Sequence, residues 1–297
     1  MRSRIDDFLT FLTVEKGYSK NTIDAYRNDL TQFAKFLEDE MVDGWDSVTR
    51  EHLTSFIIEM KNREYSSSTV ARKVAAMRAF LHFLVSENVL AEDPSSNLDS
   101  PSVTKRLPRP ISHDEIVALL SAPEADQSPR GARDKALLEL LYATGMRVTE
   151  VVSLDVEDAN IASATIRCVG KGSKERIIPL YPKAVEALET YLERGRAPLL
   201  KDSNEKALFV NHRGERLTRQ GLWLIIKRYV KQIGINELVT PHTLRHSFAT
   251  HMLNGGADLR NVQKLLGHAN ISTTQVYTQV SNKHMRKVYD ESHPRAR

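Results

Sequence analysis

The sequence predicts a mainly α protein of two domains, an all-α helical bundle in front and a mixed α/β domain with one small antiparallel sheet behind. Three observations predict it. At 297 residues the chain has room for about two cores, and 41% hydrophobic content is ample to fill them. Over residues 1–92 the apolar positions recur at helical spacing, with no alternating run to mark a strand. Beyond residue 112, up to residue 297, two short β-rich runs face each other across a glycine-bearing turn, set among further helical runs. Residues 93–111 read as a linker.

In the front domain, Ile5, Phe8, Leu9 and Leu12 give a first helix its apolar face, and Ser19 caps a second carrying Ile23, Tyr26, Leu30, Phe33 and Leu37. Thr49 caps a third, with Leu53, Phe56, Ile57 and Met60 inward. After a turn at Ser66, Ser67 and Ser68, a fourth helix spans about Thr69 to Val85. Val70, Val74, Met77, Leu81 and Leu84 are its apolar side, and Arg72, Lys73 and Arg78 its basic one. A basic face is commonly only solvated; on a DNA-binding domain this helix is the one to face a groove. In the linker, Pro94, Pro101, Pro108 and Pro110 exclude regular structure, and Lys105, Arg106 and Arg109 add positive charge.

The rear domain opens with a helix from Ser112 and another from about Arg133 to Tyr142, which ends at Ala143, Thr144 and Gly145. Arg147 follows at the start of a helix bearing Val148, Val151, Val152 and Leu154, with Glu150 three residues on to brace it. Taken alone, that is an ordinary surface Arg–Glu pair. Ala164 to Val169 and Arg176 to Leu180 form a hairpin across GKGSKE, with Lys171 between Gly170 and Gly172. Ala207 to Val210 reads as a third strand. Thr218 then caps a helix through Ile233 whose first turn carries Arg219 and Gln220, candidate contacts to a polyanion.

Three short helices follow between Thr240 and Tyr277. Thr240 is a good N-cap and Pro241 a good first residue, so His242 and Arg245, three apart, share one face, while Leu244, Phe248 and Met252 bury another. The unpaired N–H groups of that first turn and the positive end of the helix dipole make this face suited to an anion, a phosphate best of all. Asp258 caps the next helix, Gly267 stops it and His268 follows at once, where the negative dipole end favours the imidazolium. Ser272 to Gln275 reads as a capping box that opens a further helix with Tyr277 in its second turn.

Rival residues are weaker. His246 and His251 read as packing or hydrogen-bonding residues; His242 and His246 have the spacing of a zinc pair but lack its glutamate and hold a cationic Arg245 between them. Tyr191 and Tyr289 have no histidine placed to serve them. The tail at 280–297 has little to cover locally.

Composition narrows the function classes. The chain has 42 Lys+Arg and 38 Asp+Glu; 14 and 17 of these lie up to Arg106, leaving 28 against 21 for the remainder, so the rear half faces a polyanion. No apolar run approaches the ~20 residues of a membrane span. The start, RSRIDDFLTFL, is too short and acidic for a signal peptide, and the single Cys168 excludes an internal disulfide and suits the cytoplasm. Paired acidic groups for Mg²⁺, a phosphate-binding glycine loop and Cys/His zinc spacing are all missing from the sequence, which points to chemistry without metal, ATP or other cofactor.

HTLRH, the LLGH that ends in His268, and STTQVY together resemble the carboxy-terminal signature of the tyrosine recombinases, in particular the Xer subgroup; GMRVTE around Arg147 and the hairpin lysine Lys171 match the same family. The resemblance covers essentially the whole chain. It implies a SAM-like core-binding domain gripping one side of a DNA duplex, a linker crossing the DNA backbone, and a catalytic domain with Arg147, Lys171, His242, Arg245, His268 and Tyr277 as its set. It implies that Lys171 enters the minor groove as general acid and that the tail docks on a neighbour in a homo- or heterotetramer. It also implies action at dif-like sites that resolve chromosome or plasmid dimers, with a related second recombinase and a septal DNA translocase, in chromosome partition at cell division. A phage, plasmid or integron integrase, a relaxing topoisomerase and a DNA-binding protein without catalysis are the alternatives.

The residues themselves suit the implied chemistry. Arg147 and Arg245 can each present paired N–H donors to phosphate oxygens, and His268 adds a third group. Tyr277, with a phenol pKa of about 10 in water, needs such a pocket and a base, for which His242 is the candidate, to attack as phenolate.

Overall fold

A computed structural model describes residues 1–96, 98, 111–169, 175–235, 239–267 and 279–296. The chain divides into two compact units, Met1–Arg106 and Leu107–Arg297. No helix among the described residues is long and apolar enough to cross a membrane.

The first unit contains α1 (Arg2–Val14), α2 (Lys20–Asp39), α3 (Arg50–Asn62) and α4 (Ser67–Ser86). Their starts are fixed by side-chain caps: Ser19 and Ser66 accept from the N–H groups of Thr22 and Thr69, and Thr49 pairs reciprocally with His52. Because Ser66 is the cap, α4 begins two residues before the expected Thr69. Aromatic rings fill the core, with Trp45 against Phe80 at 4.7 Å and Phe33 against Phe56 at 5.0 Å between centroids. The indole N–H of Trp45 is satisfied by the Met1 carbonyl at 3.0 Å.

One expectation fails here. Lys73 is not on a groove-facing surface; it is 3% exposed, and its ammonium donates to Asp29 at 2.9 Å and to Gln32 at 2.8 Å. The basic side of α4 is wide enough that part of it faces α2, and there Asp29 supplies the charge that lets a lysine be buried. Arg72, one residue earlier, also pairs with Asp29 but keeps a side chain 42% exposed. Arg78 donates to the Leu98 carbonyl.

The second unit contains α5 (His113–Ser121), α6 (Pro129–Thr144), α7 (Val148–Ser153), β1 (Ala159–Asn160), β2 (Thr165–Val169), β3 (Glu175–Pro179), α8 (Pro182–Thr190), α9 (Arg219–Gln232), α10 (Pro241–Asn254), α11 (Leu259–Leu266) and α12 (Gln279–Ser292). Helix α6 is its hub, buried on nearly every side. It starts four residues before the expected Arg133 because Ser128 caps it and Pro129 takes the first position. The sheet is antiparallel in the order β1-β2-β3, with Ile166 opposite Ile178 and Cys168 opposite Arg176.

The third strand is β1, not the expected Ala207–Val210. Those four residues are buried but make only isolated bridges, Asp155 with Ala207 and Val210 with Arg216. Their backbone partners lie on two different segments: Leu208 donates to Leu154 and Leu217 donates to Phe209, each at 2.9 Å. No single neighbour is long enough to extend a ladder.

The tail also differs from expectation, since it has much to cover locally. Met285 and Tyr289 of α12 are buried, and the Tyr289 hydroxyl donates to the Ala143 carbonyl at 2.9 Å. His293 stacks on Tyr181 and Tyr289 with ring centroids 4.8 and 4.9 Å apart. Arg295 reaches buried Glu139 at 3.0 Å, and Lys135 and the Tyr181 hydroxyl share that carboxylate. Met285 and Val288 were the visible apolar positions; the aromatic rings of Tyr289 and His293 supply the larger contact.

Candidate active site

The site is built from the turns that end α6 and α11. Helix α6 stops at Gly145 in the left-handed conformation, φ 57°, and a Cβ there would stand 2.4 Å from a ring carbon of Phe248. Glycine therefore satisfies the helix stop and lets α10 come close. Two residues on, Arg147 is the N-cap of α7. Its N–H donates to Glu150 at 2.7 Å and its guanidinium to the other carboxylate oxygen at 3.2 Å, so the expected brace is present. The Arg147 side chain stays 42% exposed.

Helix α10 begins with Thr240 and Thr243 capping each other and Pro241 in the first turn. From its second turn Arg245 donates to the Gly145 carbonyl at 2.6 Å and to the Leu266 carbonyl at 2.8 Å. One guanidinium thus ties the turn leading to Arg147 to the end of α11, two residues before His268. Burial, and next the nearby charge of Arg147, pull the Arg245 pKa down to about 10, which leaves it a cation at neutral pH.

A third arginine completes this framework. Arg176, 6% exposed on β3, grips Glu150 with two bonds of 3.1 and 2.8 Å and donates through Nε to the Leu265 carbonyl at 3.0 Å. Burial alone would raise the Glu150 pKa, but hydrogen bonds from Arg176 and the Arg147 backbone, with the two arginine charges, outweigh it and hold the carboxyl below its usual range. Glu150 is therefore an anion, and one carboxylate among three guanidiniums leaves the site with surplus positive charge.

Arg176 escaped the sequence reading, although a signal for it exists. Strand alternation puts Arg176 in phase with buried Ile178 and sends Ile177 outward, so a charged residue points into the core exactly where an apolar one belongs by pattern.

His242 and His246 are exposed on α10. His251 is half-buried with its Nδ1 2.8 Å from the Tyr142 hydroxyl, a packing role. Arg219 is exposed in the first turn of α9. Lys171, His268, Tyr277, Lys105 and Arg106 lie outside the described residues. Their flanks are in place: the β2–β3 ladder runs to the pair Val169 and Glu175, α11 ends on left-handed Gly267, and α12 starts at Gln279. The two alternative tyrosines are enclosed, Tyr191 stacked on Phe209 and Tyr289 between α6 and His293. His293 lies beside Tyr289 only as a stacking partner, and the Tyr289 hydroxyl donates to the Ala143 carbonyl. Among the described residues no three His, Cys, Asp or Glu side chains are grouped to hold a metal ion.

Known proteins match this chain over nearly its whole length. Residues 109–284 match the model of the phage integrase family, and residues 5–88 match that of the phage integrase N-terminal SAM-like domain. Tyrosine recombinase XerC of Herpetosiphon aurantiacus is 50% identical over 98% of this chain and 95% of its own, and tyrosine recombinase XerD of Staphylococcus epidermidis is 47% identical over the full length of both. Among solved structures, XerH recombinase bound to a palindromic difH substrate in a post-cleavage complex shares the fold, with a TM-score of 0.69, 24% identity and coverage of 90% of this chain and 79% of that one. The chain belongs to the phage integrase family, in the Xer subgroup of tyrosine recombinases, and is a site-specific DNA recombinase.

Proposed function

We infer that Tyr277 is the nucleophile and that Arg147, Arg245 and His268 surround the scissile phosphate. The phenolic oxygen attacks phosphorus, its proton passing to His242, and the bond to the 5′ oxygen breaks as that oxygen takes a proton from Lys171. This yields a 3′-phosphotyrosine. A 5′-hydroxyl of another strand then attacks the ester and releases the tyrosine, so no ATP or metal is consumed. The observation carrying this reading is the pair of hydrogen bonds from Arg245 to the carbonyls of Gly145 and Leu266, which ties the turn before Arg147 to the end of α11 beside a cluster of three arginines. Fixed cations there oppose the charge that builds on a five-coordinate phosphorus.

The biological substrate in this reading is a dif-like site at which chromosome or plasmid dimers are resolved, in the cytoplasm, by a tetramer of this chain alone or with a related recombinase, under a septal DNA translocase. The first unit binds the duplex as well as the catalytic unit does, with Arg72, Arg78, Lys105, Arg106 and Arg219 as candidate DNA contacts. Support comes from relatives named XerC and XerD at about half identity and from the difH complex of XerH. An exchange of tails between protomers, from about residue 280, must first give up the contacts of Tyr289, His293 and Arg295 within the unit.

The test is a nicked duplex that traps the cleaved strand. The wild-type chain forms a covalent adduct on a dif-like duplex in the presence of a chelator, and Tyr277→Phe forms none. An adduct that survives Tyr277→Phe, or that needs a divalent ion, overturns the reading.

A further inference from the structure

We propose that Arg176 is a positioning residue for strand cleavage, the buried link that holds Arg147 and the end of α11, which Arg245 also grips, in one register. The inference rests on the reading of the site given above.

Three elements meet on this one guanidinium. Its paired N–H groups hold both oxygens of Glu150, the same carboxylate that fixes the backbone and side chain of Arg147. Its Nε holds the Leu265 carbonyl, and Arg245 holds the next one, Leu266. Its own strand starts at Glu175, four residues after Lys171 in the sequence. Gly267 closes over it: a Cβ at Gly267 would lie 2.9 Å from an Arg176 nitrogen, so the residue before His268 rests on the guanidinium itself.

Chemistry explains why arginine is required. A lysine can neutralise Glu150, but its point charge cannot grip two carboxylate oxygens in a plane while a third N–H reaches a carbonyl in another direction. Without the fork, Glu150 loses its orientation and Arg147 with it, while α11 loses the bond from Arg176 to the Leu265 carbonyl. Arg176 touches neither DNA nor the reacting atoms in this scheme; it acts through Arg147 and the segment that begins at His268.

The experiment compares the wild-type chain with Arg176→Lys and Arg176→Met by three readouts: thermal melting, affinity for a dif-like duplex, and the single-turnover rate of adduct formation at saturating duplex. Arg176→Lys keeps the ion pair and hence the fold. The expected result for it is near-normal melting and affinity within about threefold, with cleavage slowed roughly 10- to 100-fold, the loss typical of reacting groups displaced by an ångström. Arg176→Met is expected to be slower still and to melt lower. In Arg147→Ala the further change Arg176→Lys should cost clearly less than in the wild-type chain, because one of the two elements it positions is gone. Arg176→Lys cleaving at the wild-type rate, or its whole defect appearing as lost affinity or lost folded protein, overturns the proposal. Failure of the wild-type chain itself to form an adduct that depends on Tyr277 overturns the underlying reading and this inference with it, so the two failures are told apart.

Discussion

Asp29 in the first unit and Glu150 in the second are built alike. Each is a buried carboxylate shared by one buried cation, Lys73 or Arg176, and one arginine whose side chain remains 42% exposed, Arg72 or Arg147. The difference lies in the buried cation. Lys73 is a point charge that pins α4 to Asp29 and Gln32, both on α2, and its influence ends inside the bundle. Arg176 is a planar fork with a donor to spare, and it passes the constraint on to the end of α11. The same ion-pair device thus secures a bundle in one place and, in the mechanism proposed above, aligns a reaction centre in the other.

The sharpest way to break the comparison is to remove the two half-exposed arginines in turn. Arg147→Ala is expected to slow single-turnover cleavage by roughly 100- to 1,000-fold with the fold intact, as loss of one donor to a transition-state anion does. A small effect on rate would place Arg147 in the same class as Arg72.

Next in size is Asp29→Asn. It strands Lys73 as a buried charge and should cost the first unit about 3–5 kcal/mol in chemical denaturation, while bound complexes still cleave within about twofold of normal. A cleavage defect at saturating DNA would erase the distinction between the two clusters.

Acid supplies a third, smaller test, because the second unit carries depressed groups. Burial drives the His293 pKa down to about 3, and Glu150 is held below its usual value. For His293 the unfolded chain binds a proton below about 6.5 that the folded chain refuses. Stability is therefore complete above that pH and lost as pH falls toward about 3, by at most ~1.4 kcal/mol per pH unit. Glu150 adds a loss in the same direction below the normal carboxylate range. Melting of the second unit should fall between pH 7 and 5, and His293→Phe should flatten the curve there; an unchanged slope would contradict the burial argument.

Arg72→Ala is the smallest. It should weaken DNA binding uniformly across sequences and reduce the salt slope of log K by about one, with cleavage unaffected once the complex forms.

Much of the fold was legible because it rests on local signals. Caps at Ser19, Thr49, Thr218 and Thr240 and the apolar spacing of α2, α9 and α10 are properties of contiguous residues. What escaped depends on partners far along the chain. Lys73 looked like a surface cation until Asp29, 44 residues away, was beside it, and Arg176 gained its meaning from Glu150 and Leu265. The tail looked bare because the pocket for Tyr289 and His293 is made by α6 and Tyr181. In the candidate site, Arg147, Arg245 and the Glu150 brace were legible from motif and spacing; the grip of Arg176 on that brace, and of Arg245 on Gly145 and Leu266, was not.

The central claim is that these arginines are gathered to neutralise charge on the scissile phosphate. It is tested most directly by timing adduct formation of Arg147→Ala on a duplex whose scissile phosphate is replaced by an uncharged methylphosphonate. The account predicts that the variant's large deficit against the wild-type chain shrinks sharply on that neutral substrate, since there is less charge left to oppose. An equal deficit on both substrates would contradict it.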